Sequence, residues 1–309
     1  MGKDKGPLVV VVGALNVDLG GRAKEGFTLR DSIPGKVEMS LGGVGYNLSS
    51  NLSSLGLCVH FITALGEDAF GRFAKENLAE GLSLEDAFWL CGAATGTYLF
   101  INDDQGDLVA AVNEMDIVSL LTPERLSEKK ELIASADLLV IDANLPRESI
   151  LWLCEVATCP VVADPVSAKK AGRLLPALPY LAMMKPNELE LGFFTGMACE
   201  STSEALQAAK RLCEMGPELV FASLGARGMV YACKSKAVAG VVPPLARRIL
   251  STNGAGDYLF SLLILCLLKG ISPREAAWMA SRGVAGKLEG TSLVPEQLAW
   301  SDFEGKSER

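Results

Sequence analysis

Leu8-Val-Val-Val-Val-Gly-Ala14 is the stretch from which the fold can be read. A strand with one face in water alternates apolar and polar residues. An unbroken run of valines instead indicates a strand covered on both faces, as in a parallel sheet with helices on either side. Similar short apolar runs recur at 59–64, 138–143, 160–166, 181–184, 219–224 and 229–232. Helical patterns fall between them at 45–55, 69–79, 122–134, 147–156, 188–195 and 203–214, and again at 258–268 and 273–288. Such alternation predicts an α/β fold with a mainly parallel sheet flanked by helices. Two segments depart from it. Residues 17–40 are turn-rich, with short extended pieces, and 96–113 reads as a hairpin around Asn102-Asp-Asp-Gln-Gly-Asp107. Together they predict a small β-lid over one edge of the main sheet.

Composition bounds the function. With 309 residues and 49% hydrophobic content the chain can bury a sizeable core. No repeat, low-complexity tract or linker divides it, so residues 1–309 are expected to form a single domain carrying the lid. The net charge of −8 argues against a nucleic-acid polymer as partner, because phosphate backbones are held by clustered Lys and Arg. Eight scattered cysteines without a Cys-x-x-Cys pair, and one histidine, His60, support neither a zinc site nor a disulfide framework. The apolar run after Met1 is too short for a signal-peptide core, and the 258–268 run is too short for a membrane span. A cytoplasmic protein without membrane contact is expected.

The chemistry concentrates in Leu250-Ser-Thr-Asn-Gly-Ala-Gly-Asp-Tyr258. Gly254, Ala255 and Gly256 precede an apolar helix, and free amides at a helix N-terminus form an anion site. Asp257 in that first turn is placed to take a proton from a bound hydroxyl, although an acidic residue there also fits plain capping. Lys185-Pro-Asn-Glu-Leu-Glu190 puts Asn187 and Glu190 three apart on one helix face. There they could order water around Mg²⁺, or simply form a capping box. Ser223-Leu-Gly-Ala-Arg-Gly228 has the glycines for a loop against a nucleotide, and equally those of a turn between strands. Neither a Gly-x-x-x-x-Gly-Lys-Ser/Thr loop nor a Gly-x-Gly-x-x-Gly fingerprint is present. Asn16 and Asp18 lie just past the first strand, and Leu41-Gly-Gly-Val-Gly-Tyr-Asn47 opens a helix with a second glycine turn. Asp and Asn side chains suit vicinal hydroxyls.

The order of these pieces resembles the ribokinase-like (PfkB) carbohydrate and nucleoside kinases over about residues 8–295. The resemblance implies a Rossmann-like core with a β-sheet lid, ATP as co-substrate with Mg²⁺, and Asp257 as base. It implies that Gly254, Ala255 and Gly256 hold the transferring phosphate, and that Lys185, Asn187, Ser223, Gly225, Gly228, Thr252 and Asn253 line the nucleotide. Asn187 and Glu190 would order the metal through water. Gly13-Ala-Leu-Asn-Val-Asp18, Asp31-Ser-Ile-Pro-Gly-Lys36, Gly42-Gly-Val-Gly-Tyr-Asn47, Val112-Asn-Glu-Met-Asp-Ile117 and Ala163-Asp-Pro-Val-Ser-Ala-Lys-Lys170 look most like the branch that phosphorylates pseudouridine. That likeness implies transfer to a ribose 5′-hydroxyl, with Asn16, Asp18, Gly42, Gly43 and Asn47 on the ribose, and with Thr97 and Asn113 over the base. It also leaves room for a homodimer through the lid.

Two residues depart from the family pattern. Ser251 replaces a commonly acidic or amide residue in a loop that binds a monovalent cation in some members, which leaves a K⁺ requirement open. Tyr46 stands where close relatives carry Arg. The alternatives are a kinase of the same type for another nucleoside or ribose-like sugar, and a nucleotide-binding paralogue with little turnover.

Overall fold

The computed structural model describes residues 6–250 and 253–290. Its central sheet has eight strands in the spatial order Val238–Val242, Met229–Cys233, Leu219–Ser223, Leu181–Met184, Val161–Asp164, Leu138–Asp142, Leu8–Val12 and Cys58–Ile62. Only Met229–Cys233 runs against the others, pairing antiparallel with both Leu219–Ser223 and Val238–Val242 to close one edge as a meander. The valine run is central. Val9 and Val11 face the layer formed by helices Val44–Ser54, Ala255–Leu268 and Pro273–Leu288, while Val10 and Val12 face Arg147–Val156, Glu188–Thr195 and Thr202–Met215. Period-two alternation therefore sends consecutive valines into two different cores.

From Leu8–Val12 the main-sheet path goes first to the edge strand Cys58–Ile62, then reverses to Leu138–Asp142 on the other side. That reversal is a topological switch point, where the C-terminal ends of parallel strands leave a crevice for ligands. The loops of interest, starting at Gly13 and at Ala143, leave the sheet here.

Helix Ala255–Leu268 buries every residue from Tyr258 to Cys266, packed between the sheet and its helical neighbours, which explains why it lacks a polar face. The segment expected to be helical over 122–134 is instead broken into Pro123–Leu126, a 3-10 turn Ser127–Lys129 and Lys130–Ala134. The break lies where Lys129 pairs with Asp86 at 2.8 Å. The strand Val238–Val242 and the helical stretch over 168–180 were not apparent in the sequence. In that stretch Pro176 and Pro179 lack the N–H an α-helix needs, and the backbone tightens to 3-10 geometry.

The lid is a separate four-stranded sheet, ordered Gly35–Gly42, Asn16–Ala23, Thr97–Asn102 and Leu108–Glu114. Its outer pairs are antiparallel and its central pair parallel. Residues 17–40, expected as short extended pieces, mostly form two eight-residue strands. Directly opposed residues share a face, so Asp18, Ser40, Tyr98 and Asn113 lie on one side of this sheet. Val17, Leu41 and Thr97 lie on the other.

Gly13 and Gly45 touch backbone to backbone. A Cβ on Gly45 would fall 2.7 Å from the Gly13 carbonyl carbon and 2.8 Å from the Ala14 nitrogen. In an open helix, Gly→Ala is stabilising. Gly45→Ala is expected to reverse that sign and to cost roughly 1–3 kcal/mol through overpacking, measured as a lower midpoint in urea unfolding.

Candidate active site

The site is built where three loops meet over the switch point. The first strand ends at Gly13, and a few residues on the chain enters the lid at Asn16. Asn16 donates to Asp18 Oδ1 at 2.6 Å, and burial, partly offset by this bond, raises the Asp18 carboxyl above its ordinary range. The glycine turn before helix Val44–Ser54 is pressed against this pair. A Cβ on Gly42 would meet Asp18 Oδ2 at 2.4 Å, and one on Gly43 would meet Asn16 Oδ1 at 2.9 Å. Gly43 also has φ of 99°, a conformation that favours glycine. Asn16, Asp18, Gly42 and Gly43 are thus brought into one cluster.

Asn47 extends that cluster to Asp257. Its Nδ2 donates to Asp257 Oδ2 at 2.7 Å, joining segments 210 positions apart in the chain. Tyr46 points elsewhere: it packs into the core layer beneath the helix, and its hydroxyl is hydrogen-bonded to the backbone of Ala79. Asn113 shares the lid face of Asp18 two strands away, roughly 10 Å across the sheet. Thr97 lies on the opposite face, opposed to Val17, so the lid brings Asn113 and not Thr97 to the Asp18 side.

Asp257 sits in the first turn of helix Ala255–Leu268, capped by Gly254 at φ 64°. It does not cap the helix with its side chain; its carboxylate is directed to Asn47. Burial, reinforced by Asp164 and Asp142 and opposed by Asn47 and Lys185, pushes its pKa up to about 6. The Lys185 ammonium is beside it: a Cβ on Gly256 would fall 3.5 Å from Lys185 Nζ. Burial works against the charge on Lys185, yet Asp164, Glu190 and Asp257 around it hold its pKa above the ordinary lysine value. The stem of Lys287 also reaches the Gly254 turn, a cation the sequence reading did not single out.

Asn187 and Glu190 form a complete capping box. Asn187 Oδ1 accepts from the Glu190 amide at 2.9 Å, and Glu190 Oε2 accepts from the Asn187 amide at 2.8 Å. Asn187 Nδ2 also donates to Glu190 Oε1 at 2.9 Å. Burial and Asp164 push the Glu190 carboxyl up against the pull of the Asn187 amide and Lys185. Both side chains are occupied by helix capping, so any metal they held would be reached through water. That suits Mg²⁺, which retains several waters. Among the described residues no group of three or more His, Cys, Asp or Glu could hold a metal by itself.

A cavity of about 450 Å³ opens beside the helix N-terminus. Ser223, Gly225, Gly228 and Gly256 line one end, and Pro243, Pro244, Ile249, Leu259, Val284 and Leu288 form an apolar wall. Ser223 to Gly228 is both of the things its sequence allowed. It is the turn of an antiparallel strand pair, and its glycines line the cavity. Ser223 bridges to Asn187, bringing the nucleotide candidates together. Ser251 and Thr252 lie outside the described residues.

The sequence reading missed two carboxylates. Asp142 and Asp164 end adjacent parallel strands in direct register. Asp142 Oδ2 accepts from the amides of Ala14 at 2.9 Å and Gly45 at 3.0 Å, and its Oδ1 from Asn144 at 2.8 Å. Burial, more than those bonds relieve, raises its pKa. The available signal was an Asp terminating an otherwise apolar strand, in Leu138-Leu-Val-Ile-Asp142 and Val161-Val-Ala-Asp164.

These features agree with the chain's similarity to known proteins. It is 30% identical over 274 residues to the pseudouridine kinase of Escherichia coli, covering 88% of this chain and 87% of that one. Among solved structures, a carbohydrate kinase from Agrobacterium tumefaciens superimposes with a TM-score of 0.79 at 28% identity, covering 96% of each chain. Arabidopsis thaliana ribokinase, solved with ribose and ATP, shares the fold at a TM-score of 0.79 and 21% identity, over 92% of this chain and 93% of that one. The pfkB family carbohydrate kinase model matches residues 7–285, and the chain belongs to that family, with a ribokinase-like fold.

Proposed function

We propose that the protein is an ATP-dependent nucleoside kinase that phosphorylates the 5′-hydroxyl of pseudouridine. The observation that carries the chemistry is Asp257, half-buried at the mouth of a glycine-rich helix N-terminus and hydrogen-bonded to Asn47 of the ribose-side cluster. The substrate assignment is supported by identity to the E. coli enzyme along most of both chains.

In this reading Asn16, Asp18 and Asn47 receive the ribose hydroxyls, and the 5′-hydroxyl displaces Asn47 from Asp257. Asp257 accepts the hydroxyl proton as the oxygen attacks the γ-phosphorus, and ADP leaves. The amides of Ala255 and Gly256 with the Lys185 ammonium take the developing charge. Mg²⁺ bound with the nucleotide would supply charge neutralisation, and Glu190 and Asn187 would hold it through water. The donor base occupies the apolar cavity bounded by Pro243 and Val284. Lid closure over the nucleoside excludes water.

A different acceptor remains the second reading, favoured by one placement. Tyr46, half-buried and hydrogen-bonded to the Ala79 backbone, supplies no side chain to the ribose cluster at a position where the family resemblance leads us to expect Arg.

We also assign a homodimer interface to the outer lid face. Val37, Met39, Leu99 and Val112 share the face away from Asp18, and Val37 and Val112 are 80% and 69% exposed. A contiguous apolar sheet face of this kind calls for a cover.

ADP release with Mg²⁺-ATP, measured across pseudouridine, uridine, adenosine and ribose with and without K⁺, tests the assignment. Turnover on pseudouridine alone is expected, and turnover confined to another acceptor would transfer the kinase to that substrate. Asp257→Asn should lower kcat by roughly 10² to 10⁴. In the wild type the acid limb of kcat/KM should fall near pH 6, because the base must be ionised. The same substitution should raise the melting temperature at pH 7 and above. A carboxyl with a raised folded pKa destabilises the fold once ionised, so this gain should vanish below about pH 4, where Asp257 is protonated folded and unfolded. Val112→Glu should convert the dimer to monomer in sedimentation velocity, with the fold unchanged by circular dichroism.

A further inference from the structure

The Asp164-Pro-Val-Ser-Ala-Lys-Lys170 segment has no part in the reaction scheme above, yet its first residue lies at the centre of the site. Asp164 is 4% exposed and the facing Lys185 is 6% exposed. Asp164 Oδ2 is 3.3 Å from Lys185 Nζ, a charge contact and not an aligned hydrogen bond. Asp164 Oδ1 accepts from the Val166 amide at 2.7 Å. Val166 has φ of 64°, a left-handed conformation that a β-branched residue rarely adopts. One carboxylate thus clamps a strained turn with one oxygen and faces a buried ammonium with the other.

A buried ion pair is a poor source of stability, because desolvating both charges offsets much of their attraction. Stability alone therefore gives little reason for this one. Its position suggests another. Lys185 Nζ lies under Gly256, in the turn whose amides form the anion site. With no aligned hydrogen bond to Asp164, the ammonium keeps its donors for a ligand. Without Asp164 the remaining nearby carboxylates are Glu190 and Asp257, and a lysine drawn onto Asp257 would cover the base.

We propose that Asp164 is a positioning residue that holds the Lys185 ammonium beneath the Gly254–Gly256 turn, aimed at the terminal phosphate of a nucleoside triphosphate. The Val166 turn, clamped by the other oxygen, fixes the carboxylate so that it cannot follow the lysine. The assignment rests on the kinase reading for its role in catalysis, while the binding geometry stands without turnover.

The test compares wild type, Asp164→Asn, Lys185→Met and the double variant. Affinities for ADP and for the β,γ-imido analogue of ATP are measured by titration calorimetry with Mg²⁺ present. The wild type is expected to prefer the triphosphate. Each single variant should reduce that preference by about tenfold to a hundredfold, the scale of one charge-assisted hydrogen bond. The double variant should be no worse than Lys185→Met, since Asp164 acts through the lysine. The kcat should fall in parallel, with the acceptor KM changed less than threefold.

A wild type without triphosphate preference, an Asp164→Asn variant that retains it, or losses that multiply in the double variant would each overturn the proposal. If Asp164→Asn fails to fold, Asp164→Glu, which keeps the charge but shifts it by a methylene, is compared instead, with the same expected loss. Absence of ADP release from the wild type with every acceptor would defeat the kinase reading. The binding ratios would still decide the role of Asp164.

Discussion

The site depends on one buried carboxylate. Asp142, at the C-terminal end of a central strand, accepts the amides of Ala14 and Gly45 with a single oxygen. Those amides belong to the loop after the first strand and to the first turn of helix Val44–Ser54, and neither finds a backbone partner in the sheet. A buried amide without an acceptor is costly, so the carboxylate fixes where both segments can lie. The glycines follow from that constraint. A Cβ on Gly13 would fall 2.4 Å from Asp142 Oδ2, and the Gly45 backbone is tight against Gly13. Helix Val44–Ser54 is thereby set at the angle that carries Asn47 to Asp257.

Charge is concentrated around that frame. Asp164, Glu190 and Asp257 surround the ammonium of Lys185, while Asp142 lies beside them and near Lys170. Burial, reinforced by neighbouring negative charge, raises the carboxyl pKa values of Asp142, Glu190 and Asp257, and such a cluster makes a cation-bearing ligand welcome. A free nucleotide polyanion would be repelled by the same carboxylates, which is consistent with donor phosphates arriving together with a divalent ion. On the proposed function, the amides at the start of helix Ala255–Leu268 would then meet a partly neutralised phosphate chain.

The layered α/β fold was legible because hydrophobic periodicity reports burial directly. Val9 to Val12 could only be a strand covered on both sides, and the helices over 147–156, 188–195 and 273–288 appear with the bounds their patterns gave. The glycine turn that opens helix Ala255–Leu268 was legible too, since Gly254-Ala-Gly-Asp257 is a local motif with a local consequence. Properties set by distant partners were not. Nothing in Leu138-Leu-Val-Ile-Asp142 says that its last residue will accept amides more than ninety positions away. Asn47 was placed on the ribose, but its bond to Asp257 depends on the packing of two helices. Tyr46, beside Asn47 in sequence, is turned by the helical rotation toward Ala79. Thr97 was assigned from its place in the hairpin, and the lid register, which sets its face, depends on pairing with a strand some 80 residues earlier.

The connections into the lid have a mechanical consequence. Strand Asn16–Ala23 leaves the core through Gly13 to Leu15, strand Gly35–Gly42 returns through Gly43, and strand Thr97–Asn102 enters through Gly96. These crossings converge on one residue. A Cβ on Gly96 would touch Asn16 Cβ at 3.3 Å, one on Gly43 would touch Asn16 Oδ1, and the Gly96 carbonyl accepts the Val17 amide at 2.8 Å. The connections of the lid to the core and the cluster proposed for the ribose therefore share the same atoms. On the proposed function, a ligand that engages Asn16 would bear on those connections directly, so grip on the ligand and the seating of the lid would not be tuned independently. Redesigning that pocket for a different acceptor would then also alter how its cover sits.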